Sequence, residues 1–413
     1  MKQIKVGIFG GGRGTDVAKD FINAGADIVA LCDNSPERLQ RGLKTIGKEV
    51  ATYENFDDFI QHDMDAVVIA NSFHQHVPYV LKCFERNIHV FCECMSNGTM
   101  AEGVELVRAF EKSKSIYMLA ENYPQRLFNL EIQKICQSGT LGKILYAEGE
   151  YNHPVDPKDT SFLKRYNYCP EHWRNYAPAS YYLTHSLGPL MAATGATPKR
   201  VTAFYCYAPM DKETPTACNT ADKAAIMMTY NDDGSVYRFT GCSQFAGHEN
   251  STRICGMNGQ VENVRGLNGK LMLRYNPWSV PEGEEITQFY DPKLEDPDEE
   301  FMKGSGHGGA DYLTVRYFLQ CLREGKQPKH PFNVYAATVM SSVAILAHRS
   351  ALEGGTAYEL PDFRKEEDRK KYENDWLTPF CGEDGSKPTL PCCSNPDFAP
   401  TEEQFAKYLE LIK

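Results

Sequence analysis

The chain has 413 residues, enough for two domains with separate cores, and its 42% hydrophobic and 24% charged residues exclude wholesale disorder. Lys plus Arg (44) against Asp plus Glu (55) gives a net charge of −11 with no basic stripe, which argues against nucleic acid as a partner. No apolar run reaches the roughly 18–20 residues that span a bilayer, so no membrane partner is expected.

The first residues, MKQIKVGIFGGG, pass straight into a strand and turn, leaving no room for an export leader. The fourteen cysteines show none of the regular spacing of a small secreted domain. They are expected to be reduced, small apolar residues of a cytoplasmic protein.

Residues 4–9 (IKVGIF) form a short apolar run bounded by glycines, which predicts a strand. An amphipathic helix follows over 17–24, then a strand over 27–32 (DIVALC) and a helix opened by the Ser-Pro pair of SPERLQRGLKTIG. Residues 65–70 (DAVVIA), 89–92 and 116–120 are further strands, separated by the helices VPYVLKCFERN and AEGVELVRAFEKS. Continuous apolar strands alternating with helices imply a parallel sheet buried on both faces, a doubly wound domain spanning residues 1–122.

The first turn of that domain, Gly10-Gly11-Gly12-Arg13-Gly14, lies between strand and helix, where backbone N–H groups can approach a pyrophosphate. Thr15 stands where a third glycine would be, with Gly14 one residue early. A flexible turn would give the same cluster. Asp33, however, ends the second strand about twenty residues on, where a carboxylate accepts hydrogen bonds from a ribose diol and repels a 2′-phosphate. The expected cofactor is NAD rather than NADP.

Beyond residue 122 the pattern changes. A helix over 125–137 is closed by Gly139 and Gly142, and then strand-like segments succeed one another: ILYAEGEY, RVTAFYCY, AAIMMTYNDD, SVYRFTGCSQ, STRICGMNGQVENV and KLMLRYN. Asp232-Asp233-Gly234 is a hairpin turn. These predict an α/β domain over 123–360 with an open, largely antiparallel sheet, completed by the helices DYLTVRYFLQCLREG and VYAATVMSSVAILAHRSALEGG. The acidic, Pro-rich stretch 281–300 is expected to be a surface loop. The segment 361–413 is expected to wrap a surface or an interface and to end in the helix TEEQFAKYLELI.

At the end of the strand over 89–92 stands Cys92-Glu93-Cys94-Met95, which raises a metal site or a nucleophile as alternatives. Side chains two apart on a strand share a face, but Cys94 lies past the strand end, and nothing in the spacing gathers the further ligands that a metal site needs. Nothing in the sequence lowers a thiol pKa either. No metal is expected.

Several ordered motifs carry a resemblance. Ala70-Asn71-Ser72-Phe73-His74-Gln75-His76 is similar to the A-T-P-N-H-x-H segment of the glucose–fructose oxidoreductase and inositol dehydrogenase (Gfo/Idh/MocA) family, and Glu93-Cys94-Met95 aligns with that family's E-K-P. Glu121-Asn122-Tyr123, Gly139-Thr140-Leu141-Gly142 and Gly306-His307-Gly308-Gly309-Ala310-Asp311-Tyr312 resemble further landmarks, so the likeness covers about the first 360 residues. It implies a Rossmann domain, a second α/β domain whose sheet covers the nicotinamide, and a homo-oligomer. It also implies that Gly10, Gly12, Arg13, Gly14, Asp33, Asn71, His74, His76, Glu93, Asn122, Trp173 and Arg174 border the cofactor.

In the polyol dehydrogenases of the family the lysine of E-K-P, an aspartate and a histidine four residues later handle the substrate hydroxyl. Here Cys94 replaces the lysine, Tyr181 replaces the aspartate, and only His185 is kept. The segment Tyr182-Leu183-Thr184-His185-Ser186-Leu187-Gly188-Pro189 resembles Y-x-T-H-x-L-G-P of the family's NAD-dependent glycosidases, as do Tyr151 and His153 after the next strand. That branch implies oxidation at sugar C3, removal of the C2 proton, expulsion of the C1 group, addition of water and re-reduction. On this resemblance His185 is the base at the sugar hydroxyl, Tyr182 or Tyr151 takes the C2 proton, and Glu121 or His307 assists the leaving group or water. The phenols are expected to ionise more easily beside a cation or a positive nicotinamide. The alternatives are a plain NAD-dependent sugar or polyol dehydrogenase with a modified proton relay, and a binding protein that has lost its chemistry.

Overall fold

The computed structural model describes residues 3–156, 159–161, 163, 169–382 and 385–413. Its first sheet holds six parallel strands: β1 (Lys5–Phe9), β2 (Asp27–Cys32), β3 (Ala51–Tyr53), β4 (Ala66–Ile69), β5 (His89–Cys92) and β6 (Tyr117–Leu119). The order β3-β2-β1-β4-β5-β6 reverses direction between β1 and β4. In such sheets the crevice beyond the carboxyl ends at the reversal is where ligands bind.

Residues Ala66, Val67, Val68 and Ile69 of β4 are all solvent-excluded, because helices cover both faces. The covering helices are α1 (Arg13–Asp16), α2 (Ala18–Asn23), α3 (Pro36–Ile46), α4 (Phe56–Phe59), α5 (Val77–Glu85) and α6 (Met100–Lys112). Ser35 caps α3 by accepting from the Arg38 N–H, with Pro36 in the first turn, as the Ser-Pro pair predicts. Thr99 and Glu102 form a reciprocal capping box on α6. Strand β3 and helix α4 had no sequence signal of their own, being three and four residues long.

The second sheet is mixed and mostly antiparallel. Its strands are β7 (Ile144–Asn152), β8 (Pro198–Tyr207), β9 (Asp222–Asn231), β10 (Val236–Ser243), β11 (Glu249–Gly256), β12 (Gly259–Asn263), β13 (Leu271–Tyr275), β14 (Thr287–Tyr290) and β15 (Tyr358–Glu359). They lie in the order β14-β13-β12-β11-β7-β10-β9-β8-β15, with β7 parallel to β10 and antiparallel to β11. Helices α7 (Leu127–Gln137) and α8 (Thr184–Thr194) lie against one face, while Phe204, Met228 and Tyr230 stand exposed on β8 and β9.

Two expectations need correction. STRICGMNGQVENV is a hairpin of two strands, β11 and β12, since the chain reverses after Gly256. The stretch 281–300 is not all loop: Thr287–Tyr290 adds the edge strand β14, and α9 (Glu299–Lys303) follows. The alternation of that strand is too short to stand out among acidic residues.

The boundary at 122 marks where the first sheet ends, but not where its packing ends. Helix α10 (Ala310–Glu324) returns to place Val315, Phe318 and Leu319 in one core with Val6, Ile8 and Phe21. Helix α11 (Val334–Leu352) joins the two halves. Its Ser341 hydroxyl accepts from the Ser96 N–H, and its Ser350 hydroxyl accepts from the Ala203 N–H of β8. The C-terminal extension carries α12 (Glu366–Arg369) and α13 (Glu402–Ile412). It is anchored by the buried Phe380, Cys392, Cys393 and Tyr408 and by the paired Arg349–Asp375 contacts of 2.6 and 2.7 Å. All fourteen cysteines are free thiols. Among the described residues no helix is long and apolar enough to cross a membrane.

Candidate active site

Two glycines set the position of α8. A Cβ on Gly149 of β7 would stand 2.4 Å from the Ser186 carbonyl oxygen, and one on Gly188 would stand 2.8 Å from Cγ of Glu121. Without them the helix could not seat its first turn between the second sheet and the end of β6. Pro189 has no N–H to give the His185 carbonyl, so the helix is loosened at the turn that carries the histidine.

That seating brings His185 onto Glu121. The imidazole Nδ1 lies 2.9 and 3.0 Å from the two carboxylate oxygens, with Glu121 fully buried and the histidine side chain 10% exposed. Burial raises the Glu121 pKa, but the imidazole, the Thr184 hydroxyl and the Tyr123 N–H outweigh it and hold the carboxyl below its ordinary range. Nδ1 therefore donates to a carboxylate, which leaves Nε2 as the nitrogen that can exchange a proton. A buried carboxylate of depressed pKa is a poor proton donor, and the group that Glu121 holds is His185.

Aromatic rings enclose the pair. Tyr123 stacks on His185 at 4.0 Å, and Tyr151 and Tyr182 meet it edge-on at 5.0 and 5.2 Å. Burial pushes the Tyr151 phenol up, with Tyr123 and Tyr182 adding to the effect. Burial also pushes Tyr182 up, with Arg174 opposing it. The expectation that these phenols ionise easily is thus reversed, because an enclosed phenolate loses more solvation than one guanidinium restores. Tyr151 is 6% exposed and Tyr182 is 37% exposed, so Tyr182 is the ring that faces the opening.

Cys94 lies under the same carboxylate, with its thiol donating to Glu121 at 3.3 Å. Burial, then Glu121 and Glu93, push its pKa far up, which keeps it a thiol and rules out a ready nucleophile. Cys92 has other neighbours, its sulfur 3.5 Å from His76 Nδ1. Tyr181, in the place of the family's aspartate, is a core residue packed edge-on against Phe73 and Phe380.

His307 enters from the second domain. Its Nδ1 is 3.0 Å from Asp311, and its ring is 5.8 Å from Tyr123. Asp311 also accepts two hydrogen bonds from Arg13 at 2.8 Å and one from Asn122 at 2.5 Å. Arg13 further donates to Glu93 at 3.0 Å. Arg13, Glu93 and Asn122 are therefore gathered at the ends of β1, β5 and β6, but the arginine is spent on carboxylates and not free for a phosphate.

The residues of the crevice fit a dinucleotide. A Cβ on Gly10 would meet the Ala70 carbonyl at 2.3 Å and one on Gly14 would meet Ile8 at 2.8 Å, whereas one on Gly12 would meet nothing within 4 Å. The turn is thus pressed onto β1 and β4 and opens outward at Gly12. Asp33 ends β2, where it accepts from the Gly11 and Ser35 N–H groups at 2.7 and 2.9 Å. Asn71 Oδ1 and Asn122 Oδ1 are buried there without a hydrogen-bond partner.

His74 and His76 turn away from that role. His76 is 1% exposed, with Nδ1 2.7 Å from the Met95 carbonyl, and burial lowers its pKa to about 4. The His74 ring stacks on Phe380 of the C-terminal extension at 4.6 Å, and burial lowers its pKa to about 3. Trp173 packs on Phe73 at 4.4 Å, with the Arg174 guanidinium over the Trp173 ring at 4.3 Å, so that ring packs against the turn after β4. Tyr123 and Asp311 were in recognised motifs, yet their roles beside the two histidines had no signature in spacing. Phe380 had no sequence signal.

Residues 4–121 match the family model described as an oxidoreductase family, NAD-binding Rossmann fold. Residues 246–370 match the C-terminal domain of glycosyl hydrolase 109. Relatives include a glycosyl hydrolase family 109 protein of Saccharopolyspora erythraea, 25% identical over 93% of this chain and 87% of its own length. Another, glycosyl hydrolase family 109 protein 1 of Bacteroides thetaiotaomicron, is 24% identical over 88% and 85%. Among solved structures, levoglucosan dehydrogenase in complex with NADH and L-sorbose shares the fold, with a TM-score of 0.72 at 18% identity, covering 88% of this chain and all of that one. Residues 4–121 thus form an NAD-binding Rossmann domain of the Gfo/Idh/MocA kind, and residues 246–370 lie in a second domain similar to the C-terminal domain of glycosyl hydrolase 109.

Proposed function

We propose that this enzyme is an NAD-dependent glycoside hydrolase that cleaves by transient oxidation of its sugar. The observation that carries the reading is the His185–Glu121 pair enclosed by Tyr123, Tyr151 and Tyr182, in a chain whose second domain matches glycosyl hydrolase 109. Bound NAD supplies a reversible acceptor for the hydrogen of sugar C3. Gly10, Gly12, Gly14, Asp33 and Asn71 would hold it.

His185 Nε2 takes the proton of the C3 hydroxyl, and Glu121 balances the imidazolium that forms. Oxidation at C3 makes the neighbouring C2 proton acidic. Tyr182, at the open side, is the candidate to receive it in its phenolate form, which Arg174 favours against the cost of burial. Tyr151 and Tyr123 act as walls that exclude water and fix the imidazole plane. Cys94 keeps the place of the family's lysine as a neutral donor to Glu121, so His185 has no competing ammonium beside its carboxylate.

The test is stoichiometric. With aryl glycosides, free aglycone should appear many times over per enzyme while NADH stays below one equivalent. Equimolar NADH build-up would instead make the enzyme a net sugar dehydrogenase, and absence of both would sink the catalytic reading.

A further inference from the structure

Two imidazoles flank Tyr123, each with Nδ1 against a buried carboxylate: His185 on Glu121 and His307 on Asp311. We propose that His307 is a second proton-transfer residue, protonating the departing aglycone oxygen through Nε2 and receiving the proton of the incoming water. This rests on the hydrolase reading above and assigns one residue to a step which that reading leaves without a donor.

The geometry supports the assignment. Asp311 is 3% exposed and has both oxygens in use: one accepts from Arg13 Nη2 and Asn122, the other from Arg13 Nη1 and His307 Nδ1. Burial raises its pKa, but Arg13 and His307 outweigh that and hold it far below the carboxylate range, so it stays an acceptor. His307 must then carry its proton on Nδ1, and Nε2 is left to exchange. The His307 side chain is 37% exposed, so the ring is open to solvent on part of its surface.

The local backbone shows that this placement is built rather than incidental. His307 has φ +54°, Gly308 and Gly309 have φ +69° and +91°, and a Cβ on Gly306 would stand 2.4 Å from Asp311 Oδ2. A non-glycine residue in the left-handed region is uncommon and strained. The glycines around it allow the chain to fold the imidazole back onto the head of α10.

The step balances. When the C2 carbanion collapses, the C1–O bond breaks, its electron pair goes to the aglycone oxygen, and that oxygen takes the Nε2 proton. In the return half, water oxygen bonds to C1 of the enone, C2 regains the proton held by Tyr182, and the water proton passes to Nε2 of His307.

The experiment compares leaving groups in His307→Gln and in His307→Gly, the latter suited to the left-handed backbone. Methyl, phenyl and 4-nitrophenyl glycosides of one accepted sugar are used, with C2 deuterium uptake from D2O and NAD affinity by fluorescence measured alongside. Release should fall about 100-fold or more for the methyl glycoside and about tenfold or less for 4-nitrophenyl, whose oxygen departs without a proton. Deuterium uptake and NAD affinity should stay within about threefold, and added imidazole should restore His307→Gly on the methyl glycoside. Equal losses for all three leaving groups, or loss of deuterium uptake or NAD affinity, would overturn the assignment in favour of a structural role. A parent enzyme showing neither uptake nor release would sink the hydrolase reading itself, and this inference with it.

Discussion

The turn after β4 and the head of α8 each present a largely buried imidazole, and the two differ in what their Nδ1 meets. His76 faces the carbonyl of Met95, a neutral dipole, and burial takes its pKa down to about 4. His185 faces the carboxylate of Glu121, a full negative charge, at 2.9 Å. The first ring is a neutral brace for the chain after β5. The second is a ring held on a carboxylate through Nδ1. Burial alone does not separate a structural histidine from a working one; the partner does.

Removing the working ring should have the largest effect. His185→Ala should lower both aglycone release and NADH formation by about 10³-fold with little change in melting temperature, followed by steady-state kinetics and thermal unfolding. Turnover within about tenfold of the parent would break the distinction. Next, Glu121→Gln keeps the shape of the pair but removes its charge. kcat should fall by about 100-fold with KM nearly unchanged, because the imidazolium loses its counterion and not its contact with substrate. A change confined to KM would show that Glu121 serves binding.

A smaller effect is expected at Cys94. Cys94→Ala should cost about tenfold or less, and thiol-blocking reagents should leave most activity, since the group is a buried neutral donor. The least effect on turnover, and a distinct one on stability, belongs to His76. Its folded pKa of about 4 lies below the unfolded value near 6.5, so its contribution is complete above pH 6.5 and is lost as pH falls toward 4. One such group changes unfolding free energy by about 1.4 kcal/mol per pH unit across that window. His76→Asn should flatten the slope between pH 6 and 4 by about one proton in denaturant titrations. An unchanged slope would mean that the ring is not held neutral.

Much of this arrangement was legible beforehand, for identifiable reasons. The runs VGIF, IVALC and AVVI are apolar without alternation because both faces of their sheet are covered, and the glycine turn with Asp33 marks the crevice between them. His185 stood in a recognisable Y-x-T-H setting, and Glu121 in a recognisable E-N-Y one. What spacing did not reveal was that these two meet, 64 residues apart, or that Arg13 reaches across 298 residues to Asp311. Nor did it show that His74 would be covered by Phe380.

Local chemistry is written into the chain wherever neighbours in sequence are neighbours in space: strand period, helix caps, the glycines of the first turn. These settled the fold class, the two-part organisation and the cofactor. Side-chain ionisation and access follow from burial and from partners far along the chain, which only the packed structure brings together. That is why the same residue type meets a neutral carbonyl at 76 and a carboxylate at 185, and why Tyr151, expected to ionise, is instead enclosed.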